Sequence, residues 1–585
     1  MGRSDKVAAV VMTVLTGIAV YGFFSLRYPY HLHFQEQYQL FESTRAYFAG
    51  VASVPGGLAD WAGRFITQFF YYAPAGAVWM AVLLCAVQLL TWAVFRQERL
   101  SLYALSFIPA VLLLAFYCDE NALAGGAVAL LLSLSAVALC QRMRNDLARQ
   151  VLEVVLVPVL YMAAGGLSVV FVLITAIRET ERRGLGRAAI AIAAMVVLAA
   201  LCPFVASRIF PYPLGRLYYG VHYYRYHNIL PGLLWAASLA AVALVLVSCR
   251  KGRELRGRWR MVAGLALFIL VAGLGAGLTL RAADSGKEEW MRYDFMVRMQ
   301  MWNRIMLRAD AKNPDTPKTV SCLNLALGMT DRMPDSQFSY FQNGPDGLLP
   351  AFSRDHTSPV STGEIYWCLG MVNTAQRFAF EAQEAIPDFQ KSARLYRRLA
   401  ETNIVNGDWD VARKYLKALH NAIFYRKWAD ETAALLDDGT VFEKRPELAR
   451  AHELRLKDHD FLFSDTEMDS MLGLLVVEHP ENSLALDYLM AWCLLRKDLD
   501  RFVECIPLVK APAMPKAYQE ALLLRWVLTH SDYKGLPGYI SMAFARRMND
   551  FIADLQANKP EGEMRQAYGD TYWFYYYFRY RTRPD

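Results

Sequence analysis

Three polar segments interrupt the apolar first half of the chain, and their side chains could do chemistry. The first, 27–72, holds Glu36, Glu42, Arg45, Asp60 and Arg64 among aromatic residues, with His31 and His33 near its start. The second is the short turn Asp119-Glu120-Asn121. The third, 207–228, sets Arg208, Arg216, His222, Arg225 and His227 among tyrosines. A carboxylate beside a hydroxyl acceptor can take its proton as a general base, and Glu36 leads for that role with Glu42 second. Guanidinium and imidazole groups clamp phosphate, which suits Arg45, Arg64, Arg216, His222 and Arg225 to an anionic substrate. Adjacent carboxylates suit Mg or Mn, the cofactor expected at Asp119 and Glu120. Each feature also has a plainer reading. Phe34, Tyr38, Phe41, Arg45 and Phe48 recur at three or four residues, so 34–49 reads as an amphipathic surface helix, and Glu36 and Glu42 fit its solvated face. Asp119 and Glu120 fit a helix N-terminus. The arginines fit interface anchors to lipid phosphate. His31 and His33 lack a third ligand nearby, which argues against zinc.

These segments are positioned by long apolar runs. The 585 residues are 55% hydrophobic and 20% charged, with a formal net charge of +7. The apolar residues crowd into the first half and the basic residues fall between the runs. That pattern excludes a soluble enzyme and a nucleic-acid binder. A bilayer core of about 30 Å needs about 20 apolar helical residues. The runs 7–24, 75–95, 102–118, 122–140, 188–206, 229–249 and 261–280 are read as spans. The run 151–177 is interrupted by Pro158 and by Gly165-Gly166; it is either one crossing or a re-entrant hairpin. Charge decides between them. A hairpin leaves seventeen Lys and Arg inside and six outside, whereas a single crossing leaves ten and thirteen. The hairpin is therefore expected, with a cytoplasmic N-terminus and everything after residue 282 outside. In a bacterial inner membrane that compartment is the periplasm.

With acids just after the first span, a second acidic turn, a broken short span and a helical domain on the outside, residues 1–282 resemble the GT-C class of integral-membrane glycosyltransferases. The resemblance is one of architecture. It implies transfer of a sugar from a polyprenyl-phosphate carrier to an envelope acceptor. Glu36 then stands at the first acidic position and Asp119-Glu120 at the second. Many members of that class pair acids in the first loop, where this chain has His-Phe-Gln-Glu-Gln around Glu36.

After Arg281 the pattern becomes amphipathic helix. Tyr396, Leu399, Ala400, Gly407, Ala412 and Leu416 fall at the spacings of a tetratricopeptide unit, with 407–410 as the turn. Looser echoes extend over roughly 360–530. The expected fold class is all-α: a multi-pass transmembrane domain over 1–282, then an extracytoplasmic, tetratricopeptide-like helical domain over 283–585. That second half shows no nucleophile elbow, HExxH or phosphate loop, so it reads as a binding surface. A second function follows from it, a non-catalytic envelope scaffold that recruits a protein partner. The expected partners are membrane lipids, a polyprenyl-phosphate sugar and such a protein, with no nucleic acid. Nine cysteines occur without a CxxC, and those in the second half are expected as buried free thiols. The segment 568–580, nine aromatics in thirteen positions, is expected to pack a terminal helix or to rest at a bilayer surface.

Overall fold

A computed structural model describes residues 3–95, 100–226, 228–249, 258–457 and 467–579. Within them the chain is helical, with no β-strand and one isolated bridge, Ala122 to Tyr224. It divides into two compact units. The first is Met1–Glu288 together with Pro387–Arg394 and Lys417–Ala429. The second is Glu289–Ile386, Leu395–Leu416 and Asp430–Asp585.

The first unit opens with α1 (Arg3–Gly22), which runs on through a π-helical turn to Arg27. Three short helices follow: α2 (Pro29–Glu36), α3 (Arg45–Ala52) and α4 (Gly57–Thr67). Then come α5 (Ala73–Phe95), α6 (Leu100–Tyr103), α7 (Ile108–Phe116), α8 (Gly125–Arg142), α9 (Asp146–Ala164), α10 (Ser168–Arg183), α11 (Leu185–Ile209), α12 (Leu214–Tyr219), α13 (Gly232–Ser248) and α14 (Arg258–Ala282). Among the described residues six helical stretches are long and apolar enough to cross a membrane: Arg3–Arg27, Ala73–Phe95, Gly125–Arg142, Asp146–Arg183, Leu185–Ile209 and Trp259–Ala282. Two runs expected as full spans form shorter apolar helices, Ala104–Phe116 and Gly232–Ser248. Pro109 and a 3-10 turn at Ala104–Phe107 break the first, and Pro231-Gly232 starts the second late. Both α11 and α14 leave most of their apolar side chains exposed, among them Ile190, Val196, Ile269 and Leu274. Exposed apolar area on that scale marks an interaction surface and is foreign to a monomer in water.

The stretch 146–183 folds back on itself. Gly165, with φ +67° and ψ −145°, ends α9 in a conformation open to glycine. Arg149, near the start of α9, bonds Glu179, near the end of α10, at 2.7 Å, so the two arms return to one level. The arms of 19 and 16 residues are about 28 and 24 Å long. They outrun the apolar stretch 151–177 because its flanking polar residues are helical too.

The hairpin sorts the unit into two ends. At one end Asp5 pairs with Arg260. There Arg178 donates to the carbonyls of Val94 and Phe95 and to Ser248 Oγ, at 2.9–3.0 Å, and Arg182 donates to the Gln141 carbonyl. This is the arginine-rich end; the basic residues Arg96, Arg99 and those of 250–257 lie outside the described residues. At the other end the polar segments meet. Tyr28 Oη donates to the Cys118 carbonyl at 3.2 Å, Leu123 N–H to Tyr223 O at 3.1 Å and Gly56 N–H to Met162 O at 2.9 Å.

Helices Ala393–Asn406 and Trp409–His420, most of whose residues belong to the second unit, flank Gly407, whose φ is +87°. Leu399, Ala400, Ala412 and Leu416 are buried in the seam, and the Tyr396 and Tyr415 rings lie 5.2 Å apart. The terminal helix Tyr572–Phe578 packs inward: Tyr572 and Tyr575 are buried and donate to the carbonyls of Leu494 and Leu495. The nine cysteines are free.

Candidate functional site

The site is assembled at the loop end of the first unit. Pro29 opens α2, where its fixed φ suits a first helical turn, and α2 delivers Gln35 and Glu36 at its close. Gln35 Nε2 donates to the carbonyls of Asp119 and Ala122 at 3.3 and 3.1 Å, tying the first segment to the acidic turn. Glu36 is only 4% exposed, and Tyr425 Oη donates to its two oxygens at 2.9 and 3.1 Å.

The helix expected over 34–49 is broken in two. Leu40 N–H bonds the Lys391 carbonyl and Ser43 N–H the Asn421 carbonyl, both at 2.9 Å. Those bonds draw 40–43 out of the helix, and Thr44 caps a new one through Tyr47 N–H. Glu42 lies on this extended piece and pairs with Lys391 Nζ at 3.0 Å. Arg45 is exposed at the start of α3.

A second cluster rests on close approach of α4 to α8. A Cβ at Gly63 would land on the backbone of Gly125, and Gly125 in turn lies beside the Asp60 Cα and the His222 carbonyl. Asp60 takes Arg64 in a two-point ion pair, at 3.0 and 2.7 Å. Burial alone would lower the Arg64 pKa; Asp60 and Tyr47 outweigh it and hold it raised. His222 Nδ1 stands 3.8 Å from Asp60 Oδ2. Burial lowers the His222 pKa against the pull of Asp60, so the ring is neutral at pH 7. Arg216 grips Asp388 with both terminal nitrogens and donates to the Val221 carbonyl at 2.8 Å.

The two carboxylates of the acidic turn take different partners. Asp119 accepts from Asn121 N–H at 2.9 Å, from its side-chain amide at 3.2 Å and from Tyr224 Oη at 2.7 Å. Glu120 pairs with Lys287 at 2.6 Å. Among the described residues no group of three or more His, Cys, Asp or Glu could hold a metal. Asp119 and Glu120, the pair expected to seat Mg or Mn, each take protein partners: Asn121 and Tyr224 for the first, Lys287 for the second.

Arg225 differs from the other basic residues. It is 2% exposed, and its guanidinium lies over the Tyr38 ring at 4.9 Å. Among the described residues its side chain donates no hydrogen bond, and Nη1 is buried without a partner. Its own N–H bonds the Asn121 carbonyl at 2.9 Å, which fixes it where the three polar segments meet. Burial lowers its pKa, against the opposing charges of Tyr38, Tyr226, Glu120 and Asp119.

The chain belongs to a family of unknown function, DUF6057. The family model matches residues 4–579. No curated protein and no solved structure matches the chain.

Of the residues singled out in the sequence, the fold brings Glu36, Asp119 and Arg225 to adjoining segments. It commits Glu42, Glu120, Arg64 and Arg216 to ion pairs and pairs His222 loosely with Asp60. His227 lies outside the described residues. Sequence reasoning missed Tyr425, Lys391 and Asp388, which come from 387–429 and reach the first segments through tertiary packing. No local spacing signals them. Tyr38 and Tyr224 lay within reach of such reasoning, as aromatics two residues after Glu36 and one before Arg225.

Proposed function

We propose that the chain is an integral membrane transferase that moves a sugar from a polyprenyl-phosphate carrier to an envelope acceptor at the loop end of its first unit. The observation that carries this reading is Arg225, a buried guanidinium that lies over an aromatic ring, with its Nη1 unpartnered among the described residues. A desolvated cation in that state gains several kcal/mol from an anion, and a charge-assisted bond to phosphate is among the strongest available. A lipid-linked phosphate is an anion that reaches such a depth from the bilayer. Arg225 then binds the phosphate that departs with the carrier. Glu36, oriented by Tyr425, takes the proton of the acceptor hydroxyl. Tyr224 and Asn121 hold Asp119 beside them. Arg64 and Arg216, already neutralised by Asp60 and Asp388, shape the walls. No step is routed through a metal.

In this reading the arginine-rich end faces the cytoplasm of a bacterial inner membrane, by the positive-inside rule. The loop end and the C-terminal helical domain lie outside.

One observation favours a second reading. Glu36, Glu42 and Arg216 bond Tyr425, Lys391 and Asp388, from segments flanking the tetratricopeptide-like hairpin. A membrane-anchored scaffold that uses these bonds to present its helical surface to a protein partner would be built in this way.

The test is a deletion strain complemented with variants, its lipid extracts screened for a sugar-carrier intermediate. Glu36→Gln keeps one acceptor oxygen for the Tyr425 hydroxyl, and Arg225→Met keeps the bulk over Tyr38. Both are expected to accumulate the intermediate as the deletion does, with wild-type protein levels. Clearance at the wild-type rate by both variants refutes the transferase, and a stoichiometric protein partner on purification then supports the scaffold.

A further inference from the structure

The second unit holds a cavity of about 470 Å³ between residues 338–342 and the last helices of the chain. Small-molecule sites span about 300–1,000 Å³, so it has room for a sugar or two. Three arginines line it: Arg547, Arg565 and Arg579. Asp570 is the carboxylate among the lining residues, and it is already taken by Arg547 at 2.5 and 3.2 Å and by Lys516 at 2.8 Å. Glu561 is shared between Arg565 at 2.8 Å and Arg579 at 3.4 Å. Among the described residues the three arginines thus rest on two carboxylates, Asp570 and Glu561.

Arg579 is the best prepared of them. Its guanidinium lies 5.7 Å from both the Phe341 and the Phe574 ring centroids. Rings on a guanidinium fix its plane and leave its N–H edge for an anion. Burial, and then the neighbouring Arg565, lower its pKa, as expected where like charges meet. Gln566 adds an exposed amide to the rim, a group suited to sugar hydroxyls.

We propose that this cavity binds an acidic saccharide, with its carboxylate or phosphate on Arg579 and Arg565. The anion follows from the geometry; the saccharide rests on the transferase reading, as the acceptor class that the enzyme would recruit. Calorimetry on the full chain in detergent tests it, with a tetrasaccharide of alternating glucuronate and N-acetylglucosamine, the neutral tetramer of N-acetylglucosamine, and inorganic phosphate as probes. The acidic tetrasaccharide is expected to bind at least tenfold more tightly than either of the others. Arg579→Met and Arg565→Gln are each expected to weaken it at least fivefold. Arg565 is 57% exposed, so its variant keeps the fold. Absent binding, equal binding of the neutral tetramer, unchanged binding in both variants, or phosphate binding as tightly as the saccharide would each overturn the proposal. The assay reads binding without transfer, so its failure is separable from wild-type activity in Glu36→Gln.

Discussion

Buried charge in this chain is handled residue by residue. Arg64 and Arg216 each meet a carboxylate head-on, while Arg225 rests on a ring. The second unit holds a different case. Glu520 is fully buried, accepts the N–H of Tyr572 at 2.8 Å and stands 3.9 Å from Lys516 Nζ. Burial raises its pKa to about 7 against the lowering effects of Tyr572 N–H and Lys516. The unfolded carboxyl titrates near 4.5. The folded state therefore binds the proton more tightly, and the stability this gives is complete below pH 4.5 and lost as pH rises to 7. The span corresponds to about 3 kcal/mol. Glu520→Gln should remove that slope, matching wild type near pH 4.5 and exceeding it at pH 8. Hydrogen exchange of helix Lys516–Thr529 in the detergent-solubilised chain measures both. A variant that keeps the wild-type pH dependence would show that another group is responsible.

Among the elements, the hairpin of α9 and α10 is the part on which the loop end is built. Its tip touches the third polar segment. Tyr223 Oη donates to the Ala164 carbonyl and accepts from Leu167 N–H at 3.1 Å. A Cβ on Gly166 would land on the carbonyl oxygen of Tyr218, which is backbone and cannot swing away. Gly166→Ala is expected to cost about 1–3 kcal/mol, read as a lowered Tm in detergent. Gly215→Ala should be nearly silent, because a Cβ there meets only the Tyr219 ring at 3.8 Å. Equal Tm values for the two variants would mean that the tip yields. The break at Gly165-Gly166 was legible from the sequence, and so was the turn at Gly407, because glycine is what a left-handed position asks for. The helix over 34–49 was not. Its periodicity is real, but the partners that unwind 40–43 are carbonyls more than 300 residues away, and spacing carries no trace of them.

For the whole molecule the testable matter is orientation. The structure gathers the described arginines of the 140–190 segment at the end opposite Glu36. The proposed topology therefore predicts that a reporter fused after Asp585 is active only when exported, and that one fused at residue 144 is active only in the cytoplasm. The reverse pattern would turn the loop end toward the cytoplasm and remove the donor geometry with it.

The sequence by itself determined that the chain is helical, that its first half holds apolar helices of membrane-crossing length, and where the hairpin turns. Those properties depend on hydrophobic runs and on glycine, which act over a few residues. Tertiary structure decided which charges are spent. It paired Glu42, Glu120, Arg64 and Arg216, committed Asp119 to Tyr224 and Asn121, and left Arg225 on Tyr38. Whether a buried charge finds a counter-ion depends on distances between segments far apart in the chain, and no local pattern encodes those.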